Sequence, residues 1–252
     1  MEPHGHLAQG IITALRAVKE IHELKGLMEA VANEIGCRFW ALVHHDDLAV
    51  PRDGLVNLKH YPAAVVRRLV RDRHMRRDPV IRGCLFADSA FVWSDLPSII
   101  ALDRSDEAAL AFGARWGLNE GISVPSCLLG DCIGSCTFAG MRRPETAPSL
   151  LGLVQMIGIF AFQAARRLHG APGAPRARPR LHPRPRDCVA LAGRGYSNKE
   201  IARALGLAPR TVDGYLTEAR RLFDAHDRTE LVVSAILAGE VGLHELRRGQ
   251  PG

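Results

Sequence analysis

Apolar residues recur every three or four positions across residues 7–35, with Ile11, Leu15 and Val18 followed by Leu24, Leu27, Met28, Val31 and Ile35. That spacing puts one stripe along a helix, which Gly36 should end. The pattern then changes period. Residues 37–45 (CRFWALVHH) are short, aromatic and β-branched, and 54–59 (GLVNLK) follow turn residues at 51–54, so two neighbouring strands are expected. Residues 61–75 predict a basic helix opened by Pro62 and carrying Val65, Val66, Leu69 and Val70. Asp78 and Pro79 then suit the N-cap and first position of a short helix. A strand at 90–93 and a helix over 103–113 capped by Asp103 come next. Two strands follow, at 121–129 and 132–139, with a tight turn at Gly130-Asp131. In the run 147–165 and just beyond, Leu150, Val154, Ile157, Ala161, Ala164 and Leu168 share one helical face, which points to a buried packing helix. The order predicts an α+β domain, a mostly antiparallel sheet sandwiched by helices.

Residues 181–237 read differently, as helices with clear punctuation. Ser197 with Glu200 three residues on forms a capping box, so a helix begins there. Ile201 and Leu205 repeat at one-turn spacing, and Gly206 stands where a left-handed residue lets the chain turn. Pro209 opens the next helix, whose apolar stripe is Val212, Leu216, Ala219 and Phe223. Two short helices joined by a Gly-containing turn are a helix-turn-helix, whose second helix enters the DNA major groove. Asp227 and Glu230 repeat the capping-box pattern for a last helix, giving an all-α four-helix unit. Between the two patterns lies HGAPGAPRARPR, residues 169–180, whose Pro, Gly, Ala and Arg without apolar period read as a semi-rigid cationic linker. The expected division is thus 1–168, linker 169–180 and 181–252.

Charge sharpens this division. Residues 1–170 carry 19 Lys and Arg against 18 Asp and Glu, whereas 171–252 carry 14 against 9, so the differences are +1 and +5. The basic excess belongs to the C-terminal third and suits a polyanion such as double-stranded DNA, where neutralised phosphates release counterions. Six cysteines without CxxC or zinc-finger spacing indicate neither disulfides nor a structural metal. With no signal-peptide pattern at the start, a cytoplasmic protein is expected. Residues 147–165 are the best candidate for a membrane span, but Pro148, Ser149, Gln155 and Gln163 interrupt them, so no membrane association is expected.

Position by position, residues 181–237 resemble the DNA-binding domain of LuxR-type transcription regulators, whose usual pattern is LTPRE, a Gly, SNKEIA, LG, a TV pair and RTEL. The matches are Leu181, Pro183, Arg184, Gly195, Ser197-Asn198-Lys199-Glu200-Ile201-Ala202, Leu205-Gly206, Thr211-Val212 and Arg228-Thr229-Glu230-Leu231. The resemblance implies a homodimer in which the last helix packs on its twin. In the family Asp213, Gly214 and Thr217 stand at base-reading positions. An Asp can accept from cytosine and a Thr can touch a thymine methyl. Lys199, Arg210, Arg220, Arg221 and the Ser197 and Thr211 hydroxyls read as phosphate anchors, which position without specifying, and Asn198 is counted with the DNA-contacting residues. The family's Glu in LTPRE is Pro185 here and a frequent Leu is Val189.

Residues 36–168 also resemble the family's N-terminal domain, which encloses an N-acyl-homoserine lactone. Tyr61-Pro62, Asp78-Pro79-Val80, Trp93-Ser94-Asp95-Leu96, Gly121 and Pro125 carry the likeness. It implies that Asp78 accepts from the ligand amide, Tyr61 donates to the acyl carbonyl, Trp93 packs on the lactone ring and Thr137 adds a donor. Where the family has a Trp for the lactone carbonyl and a Tyr on the acyl side, this chain has Val65 and Leu69. Losing that donor removes about 0.5–1.5 kcal/mol net and lowers affinity for an ordinary lactone about tenfold or more. Two aliphatics in place of aromatics should also enlarge and dry the pocket. The expectation is therefore a quorum-sensing regulator, with no cofactor and no enzymatic activity, whose small-molecule signal has an altered head group. One alternative is a DNA-binding regulator that is ligand-independent or controlled by a protein partner, with a vestigial pocket. Another is a metal or enzyme site at His44-His45-Asp46-Asp47, although alternate strand residues face opposite sides and exposed loop residues are the simpler reading.

Overall fold

Residues 3–46, 48, 54–71, 75–128, 132–170 and 179–246 are described by the computed structural model, which separates into two units, Met1–Gly173 and Ala174–Gly252. The N-terminal stripe forms two helices rather than one, α1 (Pro3–Ala17) and α2 (Ile21–Glu34). The break has two physical causes. Glu23 accepts from the backbone N–H groups of Lys19 at 2.8 Å and Glu20 at 3.2 Å, closing a capping box that starts α2. Arg167, far along the chain, donates to the carbonyls of Leu15 at 3.2 Å, Arg16 at 3.4 Å and Val18 at 2.9 Å, and so satisfies groups that the end of α1 leaves open.

Five strands, β1 (Cys37–His44), β2 (Asn57–His60), β3 (Phe91–Val92), β4 (Gly121–Ser126) and β5 (Gly134–Met141), pair antiparallel throughout in the order β2-β1-β5-β4-β3. The sheet is covered on both faces, and β5 is buried at every position. Trp40, Leu42, Ile122, Val124, Cys136 and Phe138 pack into one large core with α1, α2 and the long helix of residues 147–168. Ala41 and Val43, on the other face of β1, pack with Leu48, Met75 and Ile81.

Residues 61–75 do not form one helix. After α3 (Ala63–Val66) the chain widens into a π-type turn over Arg67–Arg71, and a 3-10 turn covers Met75–Arg77. A π turn closes i→i+5 hydrogen bonds, so residues four apart no longer share a face. α4 (Pro79–Phe86) starts where Asp78 and Pro79 predict. A 3-10 turn at Trp93–Asp95 leads into α5 (Leu96–Ile99), for which the pattern gave no signal, and α6 (Arg104–Arg115) has Asp103 as its cap. The tight turn at Gly130-Asp131 and most of the turn at 51–54 lie outside the described residues.

α7 (Ala147–Leu168) is long and apolar enough to cross a membrane by composition, yet Val154, Ile157, Ala161 and Ala164 of its stripe are buried in the protein core. Its backbone lies directly on the sheet: a Cβ at Gly158 would stand 2.7 Å from Val124 and 3.2 Å from Cys136.

The second unit consists of α8 (Pro183–Gly193), α9 (Asn198–Leu205), α10 (Pro209–Leu222) and α11 (Arg228–Leu237), with a 3-10 turn at Leu243–Leu246. Ser197 and Glu200 form the expected reciprocal box, and Gly206 adopts φ 64°. Ile201, Val212, Leu216, Ala219, Leu231 and Ala235 fill the core. Pro185 is buried in the first turn of α8, where a missing N–H costs nothing. The box at α11 is only half formed. Asp227 accepts from the Glu230 N–H at 2.8 Å, but the Glu230 carboxylate takes the N–H of His226 at 2.7 Å, one residue before the cap.

Candidate ligand cavity and nucleic-acid interface

Between the sheet face of β2, β1 and β5 and the helices α4 and α6 lies a cavity of about 70 Å³, lined by Ala41, Val43, Tyr61, Met75, Ile81, Leu110 and Leu118 among others. Tyr61, Leu69, Asp78, Trp93 and Thr137 all line it; Val65 does not. Val65 is buried in a cluster with Leu118 and Ala139, against which Leu69, Tyr61 and Trp93 pack, so it backs the wall without reaching the space. The widened turn after α3 accounts for this: in a continuous α-helix Val65 and Leu69 would face the same way.

Asp78 is both a cap and a cavity group. One carboxylate oxygen accepts from Val80 N–H at 3.0 Å and Ile81 N–H at 3.2 Å, which fixes the side chain and leaves its second oxygen for a donor in the cavity. Burial pushes its pKa up to about 6, against the opposing pull of those two N–H groups and of Arg68. Burial, and then the nearby Asp78 charge, raise the Tyr61 hydroxyl above its usual range, so it stays a neutral donor, with Thr137 pulling weakly the other way.

Trp93 is held by a connection the sequence did not reveal. Its indole N–H donates to the Ser123 hydroxyl at 3.0 Å, and Ser123 shares a 2.9 Å hydrogen bond with Thr137. Ser123 is 0% exposed. Only its alternation along β4 could have pointed to it. Gly121 makes room for the ring: a Cβ there would lie 2.8 Å from Trp93 and 2.8 Å from the Phe138 carbonyl. Lys59 also lines the space, opposite Ala41 on β2, with its ammonium bonded to Asn57 and its pKa lowered by burial.

His44 and His45 point to opposite faces, as strand alternation requires. They are not exposed loop residues. His44 is buried, its ring edge-on to Phe162 at 5.1 Å, and it accepts from the Val56 N–H at 3.0 Å. His45 is bonded through Nε2 to the Ser135 hydroxyl at 2.9 Å. Asp47 lies outside the described residues, among which no group of three His, Cys, Asp or Glu could hold a metal.

In the second unit, Arg210, Asp213, Gly214, Thr217 and Arg221 are exposed along one side of α10, at i, i+3, i+4, i+7 and i+11 spacing, with Thr211 and, on α9, Lys199 exposed as well. Four of the expected contacts, Ser197, Asn198, Asp213 and Thr217, are engaged within the protein. Asn198 donates to Asp213 at 3.2 Å and accepts from Arg228 at 2.9 Å, and Arg228 also donates to the Tyr196 carbonyl, so these side chains lock the starts of α9 and α11 to α10. The Ser197 hydroxyl donates to Glu200 at 2.7 Å, so its first role is the cap. Thr217 accepts from Arg220 at 3.2 Å.

Comparison with known proteins agrees with both halves. Residues 20–165 match the family described as autoinducer binding domain, and residues 180–235 match the bacterial regulatory proteins of the luxR family. The HTH-type quorum sensing-dependent transcriptional regulator RpaR of Rhodopseudomonas palustris is 32% identical over 166 residues, covering 66% of this chain and 67% of RpaR. The transcriptional activator protein SolR of Ralstonia solanacearum is 26% identical over 231 residues, 90% of this chain and 95% of SolR. The crystal structure of Escherichia coli SdiA shares the fold, with a TM-score of 0.57 at 17% identity over 93% of this chain and 98% of that one. The chain therefore belongs to the LuxR family and is a quorum-sensing transcription regulator with an autoinducer-binding domain followed by a helix-turn-helix.

Proposed function

We propose that the signal is an amide of the acyl-homoserine-lactone type with an altered head group. Asp78 accepts from its amide N–H, Tyr61 and Thr137 donate to its acyl carbonyl, Trp93 packs on its head and Leu69 borders its chain. The observation that carries this reading is the convergence of a fixed carboxylate oxygen and a neutral phenol on one enclosed space. A buried amide needs both a donor and an acceptor, because either left unpaired costs about 1–3 kcal/mol. The altered head group follows from Val65 standing behind the wall and from the Trp93 N–H being taken by Ser123. On this reading the signal domain spans 1–168, the linker 169–180 and the DNA-binding domain 181–252. The protein is a cytoplasmic homodimer without cofactor or enzymatic activity. Val233 and Leu237, exposed one turn apart on α11, support dimerisation through that helix. The small volume of the cavity favours one second reading, control by a protein partner with the pocket unused. Thermal-shift and calorimetric titration of the full chain with a panel of acyl-homoserine lactones separates the two. A ligand at a hundred times its Kd adds about 2.7 kcal/mol of stability. Tight binding of an unmodified lactone overturns the altered head group, and no binding by any member favours the partner.

The Asp78 carboxyl makes affinity depend on pH. A ligand N–H binds the ionised form, so with a pKa of about 6 the affinity should hold above about pH 7 and fall about tenfold by about pH 5. Isothermal titration across that range measures it.

On α10, Gly214 is a helix-interior glycine whose Cβ would meet nothing within 4 Å, so the unit itself does not need it. We infer that it gives DNA close approach. Gly214→Ala should raise the stability of the DNA-binding unit by about 0.8–1 kcal/mol and at the same time weaken operator binding. Thermal melting and fluorescence anisotropy with a DNA duplex read the two effects separately.

A further inference from the structure

The cavity wall is polar at two levels of β5, at Thr137, assigned to the signal's acyl carbonyl, and at Ser135, to which no part of the signal has been assigned. In the sheet register Thr137 stands opposite Ala41, and Ser135 stands opposite Val43 one same-face step further along β5. That step is about 7 Å. Ala41, Val43, Ser135 and Thr137 all line the cavity, together with Met75 and Ile81, which pack with Val43 and Tyr61 in one apolar cluster.

His45 continues the same face of the sheet beyond Val43. Its backbone N–H is anchored on the Ile133 carbonyl at 2.7 Å, and its Nε2 is bonded to the Ser135 hydroxyl at 2.9 Å. Its other ring nitrogen, Nδ1, is buried and has no hydrogen-bond partner among the described residues. Ser135 is 3% exposed, and the Cys84 thiol also lies against its hydroxyl. Burial, and then the neighbouring His44, lower the His45 pKa to about 4, so the ring is neutral near pH 7 and has one donor and one acceptor nitrogen. A serine hydroxyl bonded to such a ring keeps hydrogen-bonding capacity to spare. A signal with a purely hydrocarbon tail would cover Ser135 and leave that capacity unmet, at an energetic penalty.

We propose that the signal carries a hydrogen-bonding group, a hydroxyl or carbonyl, at the far end of its acyl chain about 7 Å from the carbonyl held at Thr137, and that Ser135, its hydroxyl positioned by His45, receives it. This rests on the reading that Asp78 and Tyr61 hold the amide of an acyl-homoserine-lactone-type molecule. The pair of residues would then select among signals by their tails, independently of the head group.

The test is a matched pair of ligands titrated calorimetrically into the full chain, N-hexanoyl-homoserine lactone and its ω-hydroxyhexanoyl counterpart. The wild type should bind the hydroxylated lactone about threefold to tenfold more tightly, the range of one added hydrogen bond. In Ser135→Ala and in His45→Phe that ratio should fall to about one. Melting curves establish that each variant is folded, and if His45→Phe is not, Ser135→Ala decides. Equal binding of the two lactones by the wild type, or preference for the methyl-ended one, overturns the far-end proposal alone. So does a preference that survives Ser135→Ala. If folded wild type binds neither lactone, the amide reading fails and the far-end proposal falls with it.

Discussion

Asp78→Asn should weaken binding of an acyl-homoserine lactone about tenfold to a hundredfold while leaving the domain folded. Asparagine keeps the shape and, being as good a cap as aspartate, can still accept from the Val80 and Ile81 N–H groups that start α4. What changes is the second oxygen, which becomes an NH₂ that meets the ligand N–H donor to donor. Hydrogen bonds to a charged partner are worth about 1.5–3 kcal/mol, which sets the size of the loss. Stability should move the opposite way. The folded pKa of about 6 lies above the ordinary value of 3.8, so the ionised carboxyl is disfavoured in the fold. The stability linked to its protonation is complete at low pH and is lost as pH rises through about 6. Ligand-free Asp78→Asn should therefore melt at or above the wild-type temperature near pH 7, the difference closing below about pH 4. Calorimetric titration gives the affinity and scanning calorimetry the stability. Undiminished affinity in the variant would reduce Asp78 to a helix cap.

What could be read along the chain was whatever is decided within a turn or two. Ser197 with Glu200, Gly206, Pro209, Asp78 with Pro79 and Asp103 mark helix ends through contacts made within a few residues, and the structure has those helices. What escaped depends on distant groups. The apolar stripe of residues 7–35 runs across the break between α1 and α2, because that break is sealed by Arg167 from α7. Family likeness puts Val65 at the cavity, but the widened turn after α3, which leaves no mark in the apolar pattern, sets it behind the wall. The cavity residues Tyr61, Leu69, Asp78, Trp93 and Thr137 came from family likeness, and only the fold brings them together. Lys59, Ser123, Ser135 and His45 could not be assigned because a polar residue on a strand ordinarily faces solvent. Here both faces of the sheet are covered. On the DNA side, helical spacing gives the apolar stripe of α10 and family likeness the residues of its exposed row, whereas the link from Arg228 through Asn198 to Asp213 required three helices to be docked.

Ile201→Ala should unfold the DNA-binding unit under conditions in which the signal domain stays intact. Ile201 is 0% exposed and sits in the core with Val212, Leu216 and Leu231, so truncation removes buried methyl groups and leaves a cavity among residues from three other elements. Such changes cost about 2–5 kcal/mol. A unit of this size has little stability in reserve, since small domains bury a smaller share of their surface. The same loss lowers the melting temperature of a small domain by more than about 10 °C. Because α9 and α10 share this core, the exposed row of Arg210, Thr211, Asp213 and Arg221 loses its support, and operator binding should vanish together with the C-terminal transition. The proposed boundary at residues 169–180 predicts two transitions in scanning calorimetry, one lowered by the substitution and one unchanged and still raised by ligand. A single transition that shifts as a whole would show instead that the two units fold as one, and would overturn that boundary as a thermodynamic one.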